Sequence, residues 1–220
     1  MVEHIHTEAD LDAGIAALTK GDARLAAVFA KAGRPPLRRR EGGFAGLASI
    51  IVSQQLSTAS AGAIWGRLAA KYDPFDAGAL RRARTASLQK AGLSAAKIRA
   101  LKAIATAIDK GTINLAALAD MPADQAHNRL TALHGVGPWT ADIYLLACLG
   151  HADAWPAGDL ALQEAARLAL KLPHRPTTKE MGPLAEPWRP WRAVAARLLW
   201  TYYRTLKNRD PVPVGPAKAQ

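Results

Sequence analysis

Apolar positions along most of this chain recur three or four residues apart, alanine is abundant and β-branched runs are rare, a pattern that predicts an all-α protein. The clearest case is "LSAAKIRALKAIATAIDKG". Here Ile98, Leu101, Ile104, Ala105 and Ile108 form one stripe, Ser94 stands where an N-cap belongs and Gly111 where a helix terminates. The same spacing predicts helices at 8–19, 22–31, 43–53, 58–71, 76–83, 85–91, 114–118, 122–133, 138–149, 159–170, 178–185 and 188–207. Between the second and third of these lies "KAGRPPLRRREGG", which reads as an exposed connector with a solvated charge run at Arg38, Arg39 and Arg40. The last residues, "RDPVPVGPAKAQ" (211–220 and the two before them), carry no hydrophobic period and read as a loose tail.

Length and charge narrow the picture. With 220 residues, half of them hydrophobic, the chain can bury a core as one domain or as two small lobes. The start lacks the basic-then-apolar profile of a signal peptide and no apolar run is long enough to span a membrane, so a cytoplasmic monomer without membrane contact is expected, associated with the nucleoid if the source is bacterial. Lys and Arg number 29 against 18 Asp and Glu, a net charge of +11, which makes a polyanion such as nucleic acid the first candidate partner and an uncommitted basic surface the alternative. The single cysteine, Cys148, lies in "IYLLACLG" and reads as a buried thiol; alone, it excludes an internal disulfide, a four-cysteine iron–sulfur cluster and a four-cysteine zinc site. The histidines show no metal-ligand spacing, and His4 and His6 read as exposed on a loose N-terminus.

The chemistry is concentrated around "LHGVGPWTADIYLL". A helix ending near Leu133 is followed by His-Gly-Val-Gly and then by Pro138 at a first helical position, where its missing N–H costs nothing. Gly135 and Gly137 allow positive φ and close approach to another molecule, and the N–H groups opening the next helix make a seat for phosphate. Glycines serving turn geometry alone are the plainer reading. Twenty positions beyond Trp139 (159 − 139), Asp159 follows Gly158 in "WPAGDLALQEAARL", where an N-cap is the plainer role.

Taken together, "LHGVGPWTA", this spacing, "PAGDLAL", "GFAGLASIIVSQQLSTASAGAIWGRL", "AGLSAAKIRALKAIA" and "WRPWRAVAARLLWTYY" resemble the helix-hairpin-helix DNA glycosylase superfamily, in its DNA-3-methyladenine glycosylase II branch, from about Phe44 to Tyr203. The resemblance implies a two-lobed helical fold, a central lobe of about 44–134 and a second of about 1–43 plus 135–210, with a DNA-binding cleft between them and 211–220 as tail. It implies base excision from damaged double-stranded DNA, with Asp159 catalytic, as an electrostatic stabiliser of positive charge on the deoxyribose or as the group that orients or deprotonates water. Bifunctional members carry lysine where Trp139 stands; tryptophan cannot form a Schiff base, so the resemblance implies a monofunctional enzyme that leaves the strand intact.

The alkylated base, 3-methyladenine or 7-methylguanine, carries positive charge and is attracted to aromatic faces, for which Trp139 and Trp200 match and Tyr202 and Tyr203 follow. A flipped-out base leaves a gap in the stack; the matching wedge position is Gln55, with Leu56 beside it, while Ser53, Gln54 and Ser57 fit a helix end and cap. By the same motif Gly135, Val136, Gly137 and Thr140 meet DNA, and the backbone carbonyls of Thr131, Leu133 and Gly135 hold a structural Na+ or K+. No cofactor is required for the chemistry. Release of other damaged purines, such as hypoxanthine or ethenoadenine, and non-catalytic DNA binding through the same hairpin are the alternatives.

Overall fold

The computed structural model describes residues 4–207. Among them the chain is helical without strands; one isolated bridge joins His4 to His151. The α-helices are α1 (Glu8–Gly21), α2 (Ala23–Ala32), α3 (Gly43–Ser53), α4 (Thr58–Lys71), α5 (Ala77–Arg82), α6 (Thr85–Lys90), α7 (Ala95–Asp109), α8 (Ala123–Thr131), α9 (Pro138–Ile143), α10 (Leu160–Ala169), α11 (Thr178–Ala185) and α12 (Arg192–Lys207). Their starts follow from capping chemistry: Thr7, Asp22, Ser57, Asp76, Ser94, Asp159 and Thr177 each accept a backbone N–H of the first turn. Ser94 caps α7 and Gly111, at φ +67°, ends it, as its pattern predicts.

Three segments differ from expectation. Asn114 accepts the N–H groups of Ala116 and Ala117, so the segment expected to be helical at 114–118 is a turn leading into a 3₁₀ helix at Ala117–Asp120. A proline biases the residue before it to extended backbone; Arg189, before Pro190, is extended, and the helix expected at 188–207 starts only at Arg192. The helix expected over 138–149 widens from Tyr144 to Leu149 into a π-helical stretch, every residue of which is buried.

The chain forms two compact units. The first contains described residues 4–39 and 150–207, with α1, α2, α10, α11 and α12. Its core joins Leu11, Ile15 and Leu18 of α1 to Leu25 and Val28 of α2, Leu162 and Ala166 of α10, and Val194, Leu198 and Leu199 of α12. The second unit contains residues 40–149 and α3 to α9, centred on Leu47, Ile50 and Ile51 of α3 and Leu101 and Ile104 of α7. This division corrects the expected one: residues 135–149 belong with the central helices. Ile143 to Leu149 are all buried, and α9 with its π-helical continuation packs on α3 and α8, so both helices of the hairpin stay in one unit.

The connector is also not a solvated charge run. In the first unit Arg39 donates through Nη1 to the Ile5 carbonyl at 3.0 Å and to His6 Nδ1 at 2.6 Å. In the second, burial pushes the Arg40 guanidinium down from its ordinary value. The N-terminal segment is tied down as well: the Ile5 N–H donates to the Gly150 carbonyl at 2.7 Å, and the His4 ring lies 5.1 Å from both His6 and His151. Burial, and then Arg39, hold the His6 imidazole below its ordinary pKa. Cys148 is buried, as its apolar surroundings predict. Among the described residues no helix is long and apolar enough to cross a membrane.

Candidate active site and hairpin

In the first unit the polar focus is Asp159. The loop before it, Trp155 to Gly158, is drawn into a tight turn by Ala157 N–H to the Trp155 carbonyl (2.8 Å) and Asp159 N–H to the Pro156 carbonyl (2.9 Å). Trp155 anchors that loop, donating its indole N–H to the Met181 carbonyl at 3.1 Å and meeting Trp188 edge-on. Asp159 opens α10, and its Oδ1 accepts two neutral donors, the Leu162 N–H at 2.8 Å and the Trp200 indole Nε1–H at 3.1 Å. The residue is only 7% exposed. A carboxylate oriented by an amide and an indole, at the positive end of a helix and largely out of water, is suited to stabilising a cation that develops close by.

Trp200 is therefore brought to Asp159, and it is itself buried. Tyr202 is not: two residues along a helix is more than half a turn, so it projects from the other side of α12, where the Lys31 ammonium lies 5.7 Å over its ring. Tyr202, expected in the base pocket, thus lies on the opposite side of α12 from the Trp200 that meets Asp159. Tyr203, three residues on from Trp200, shares its side of the helix and is half-buried.

Gln163 went unnoticed in the sequence. It is buried, and its Nε2 donates to the Ala157 carbonyl at 2.8 Å, bracing the loop that delivers Asp159. Its place four positions after Asp159, on the same side of the helix, was the available signal.

In the second unit the hairpin joins α8 to α9. Its two helices are stapled by His127 Nε2 and Asp142 Oδ1, 3.6 Å apart. Gly135 has φ +85°, and a Cβ there would lie 2.2 Å from Ala100 Cβ on α7, so both conformation and space require glycine. Gly137 differs from the expectation of positive φ: at φ −83° it is ordinary extended backbone, with open space where a Cβ would be. Both glycines are exposed. Two other residues expected at the DNA surface face inward. Val136 is buried and spends its N–H on the Leu133 carbonyl at 3.1 Å. Thr140 is 2% exposed, and its hydroxyl accepts Gln54 Nε2–H at 2.7 Å. Trp139, on the first turn of α9, is half-buried.

The wedge stretch follows α3. Gln54 is extended and Gln55 has φ +57°, which turns the chain outward and leaves Gln55 exposed while Leu56 is half-buried. Lys97 of α7 closes the end of α3, donating through Nζ to the carbonyls of Val52 at 2.7 Å and Gln54 at 2.9 Å; burial holds its ammonium below its ordinary pKa. The carbonyls proposed to hold a cation belong to the exit of α8. That of Leu133 accepts the Val136 N–H at 3.1 Å, and Gly135 two residues on has φ +85°.

The model of the HhH-GPD superfamily base excision DNA repair protein matches residues 48–190. The chain is 36% identical over 218 residues to the "Probable bifunctional transcriptional activator/DNA repair enzyme AlkA" of Mycobacterium tuberculosis, a match covering 92% of this chain and 42% of that relative, so the chain spans less than half of the relative's length. It is 33% identical over 173 residues to DNA-3-methyladenine glycosylase 1 of Schizosaccharomyces pombe, covering 76% of this chain and 75% of that protein. A solved structure of a 3-methyladenine DNA glycosylase from the same yeast in complex with abasic DNA superposes with a TM-score of 0.71 at 27% identity, over 88% of this chain and 95% of the other.

Proposed function

The chain belongs to the HhH-GPD superfamily of base excision DNA repair proteins, and from that premise we propose that it is a monofunctional DNA glycosylase of the DNA-3-methyladenine glycosylase II class. It hydrolyses the N-glycosidic bond of alkylated purines in duplex DNA, acting as a monomer and leaving an abasic site in an intact strand. The observation that carries this reading is the seat of Asp159, a buried carboxylate fixed at one oxygen by the Leu162 amide and the Trp200 indole. Breaking the bond to the base leaves positive charge on the sugar, and a preoriented carboxylate lowers the energy of that state without reorganising.

An alkylated purine leaves readily because its ring is already cationic, so no strong general acid is needed. Trp139 supports the hydrolytic outcome, since indole offers no amine for a Schiff base. The exposed Gln55 turn supports the role of wedge, filling the stack when the base swings out. Gly135 and Gly137, exposed at the hairpin, bring backbone against phosphate. The carbonyls of Thr131, Leu133 and Gly135 would hold a Na+ or K+, which supplies positive charge toward the phosphate and takes no part in bond breaking.

Incubation with methylated duplex DNA tests the reading. Free 3-methyladenine and 7-methylguanine should appear by chromatography, with strand breaks only after alkali and no borohydride-trapped adduct on abasic DNA. Absence of base release, or an efficient covalent adduct, would overturn it.

A further inference from the structure

Three contacts within the second unit bind the wedge turn, the hairpin and α7 to one another. Lys97 of α7 grips the wedge turn through the carbonyls of Val52 and Gln54. One turn further along α7, Ala100 forms the floor on which Gly135 of the hairpin rests, with no room for even a methyl group between them. The third side is direct: Gln54, the residue before the exposed Gln55, donates its amide N–H to the buried hydroxyl of Thr140 on α9 at 2.7 Å. Gln54 is thus held at its carbonyl by Lys97 and at its side chain by Thr140, while Gln55 next to it points outward at φ +57°.

We propose that Gln54, through Thr140, is a positioning residue that holds the Gln55 wedge at a fixed offset from the phosphate-gripping hairpin, so that backbone binding presents the wedge in register with the base to be expelled. The inference rests on the glycosylase reading and deepens it. Gln54 touches neither base nor sugar; its effect is on the extrusion step. A side chain in register costs nothing to place when the duplex arrives, whereas a wedge free to wander must be ordered at that moment. Loss of the tether therefore slows base flipping while the hairpin still grips phosphate.

Gln54→Leu removes the donor at similar volume, and Thr140→Val removes the acceptor. Each should lower the single-turnover rate of 3-methyladenine release by about tenfold or less, the range of one neutral hydrogen bond, while the Kd for duplex DNA changes far less. The double variant should be no slower than either single one, because both break the same bond. Flipping is read independently by the fluorescence of 2-aminopurine placed at the target position: both variants should show a reduced rise on binding, and Gln54→Glu, which still can reach the hydroxyl as an acceptor, should recover part of it. Equal losses in rate and affinity, or multiplicative effects in the double variant, would overturn the proposal. The fluorescence readout needs no base release. If the wild-type chain flips 2-aminopurine but frees no base, the glycosylase reading fails and the positioning role is still decided.

Discussion

Two aspartates of the first unit occupy the same local frame and reach different ends. Asp22 caps α2 and accepts the Trp188 indole N–H at 2.9 Å; Asp159 caps α10 and accepts the Trp200 indole N–H at 3.1 Å. Asp22, however, is also clasped by Arg24 at 2.6 and 2.9 Å, and that guanidinium holds its carboxyl well below the usual carboxylate range. Asp159 Oδ1 instead accepts an amide and an indole, neither of them charged. A charge matched by arginine is a structural brace. An amide and an indole orient a carboxylate without cancelling its charge, which is what the role proposed for Asp159 asks of its partners.

The sharpest way to break this comparison is to substitute each aspartate by asparagine. Asparagine caps a helix as well as aspartate does and keeps an acceptor for the indole, so Asp159→Asn should unfold at nearly the wild-type temperature. Its rate of base release should nevertheless fall by roughly 10²–10³, the usual loss when one preorganised electrostatic group is removed. Retained activity would show that Asp159 is merely a cap. The same exchange at Asp22 should leave the rate unaltered.

In the second unit the corresponding contrast is between two glycines. Gly135→Ala puts a side chain at φ +85° against Ala100, and should cost about 1–3 kcal/mol in denaturant unfolding. Gly137→Ala meets open space at an ordinary φ and should leave stability within about 0.5 kcal/mol. If backbone at Gly137 lies against phosphate, the added methyl should instead weaken binding to duplex DNA several-fold, measured by fluorescence anisotropy. Unchanged affinity would reduce Gly137 to a turn residue.

These contrasts explain which parts of the molecule were legible in its sequence. Helices declared themselves because caps and apolar stripes are local, as Ser94, Ile98 and Leu101 illustrate, and Asp159 stands out as a candidate because its place after "PAG" and its distance from the hairpin are linear properties. Contacts that close over long separations left no such trace. The pairing of Gln54 with Thr140, the burial of Val136 and the anchoring of Arg39 on Ile5 each depend on a partner at least dozens of residues away or on which way a turn faces. Tyr202 illustrates the same limit: it stands two letters from Trp200, while the helix turns the two to opposite sides and sets Lys31 over the tyrosine ring. The two glycines were indistinguishable as letters, and only φ and the atoms around a missing Cβ separate them.

A modest effect belongs to Asp22 and tests the brace itself. Asp22→Asn keeps the cap on α2 and an acceptor for Trp188 but forfeits the charge facing Arg24. Since the Arg24 side chain is half exposed, the loss at neutral pH should be about 0.5–1 kcal/mol. Its pH dependence carries the sign. The folded-state pKa lies below the ordinary carboxylate value, so the charged form contributes stability that is complete above the unfolded-state pKa of about 4 and disappears as the pH falls toward the folded-state value. Denaturant titrations of wild type and variant should therefore diverge at pH 7 and converge in acid, whereas a stability gap that persists unchanged at low pH would assign the loss to the cap or the indole bond and remove the charge from the account.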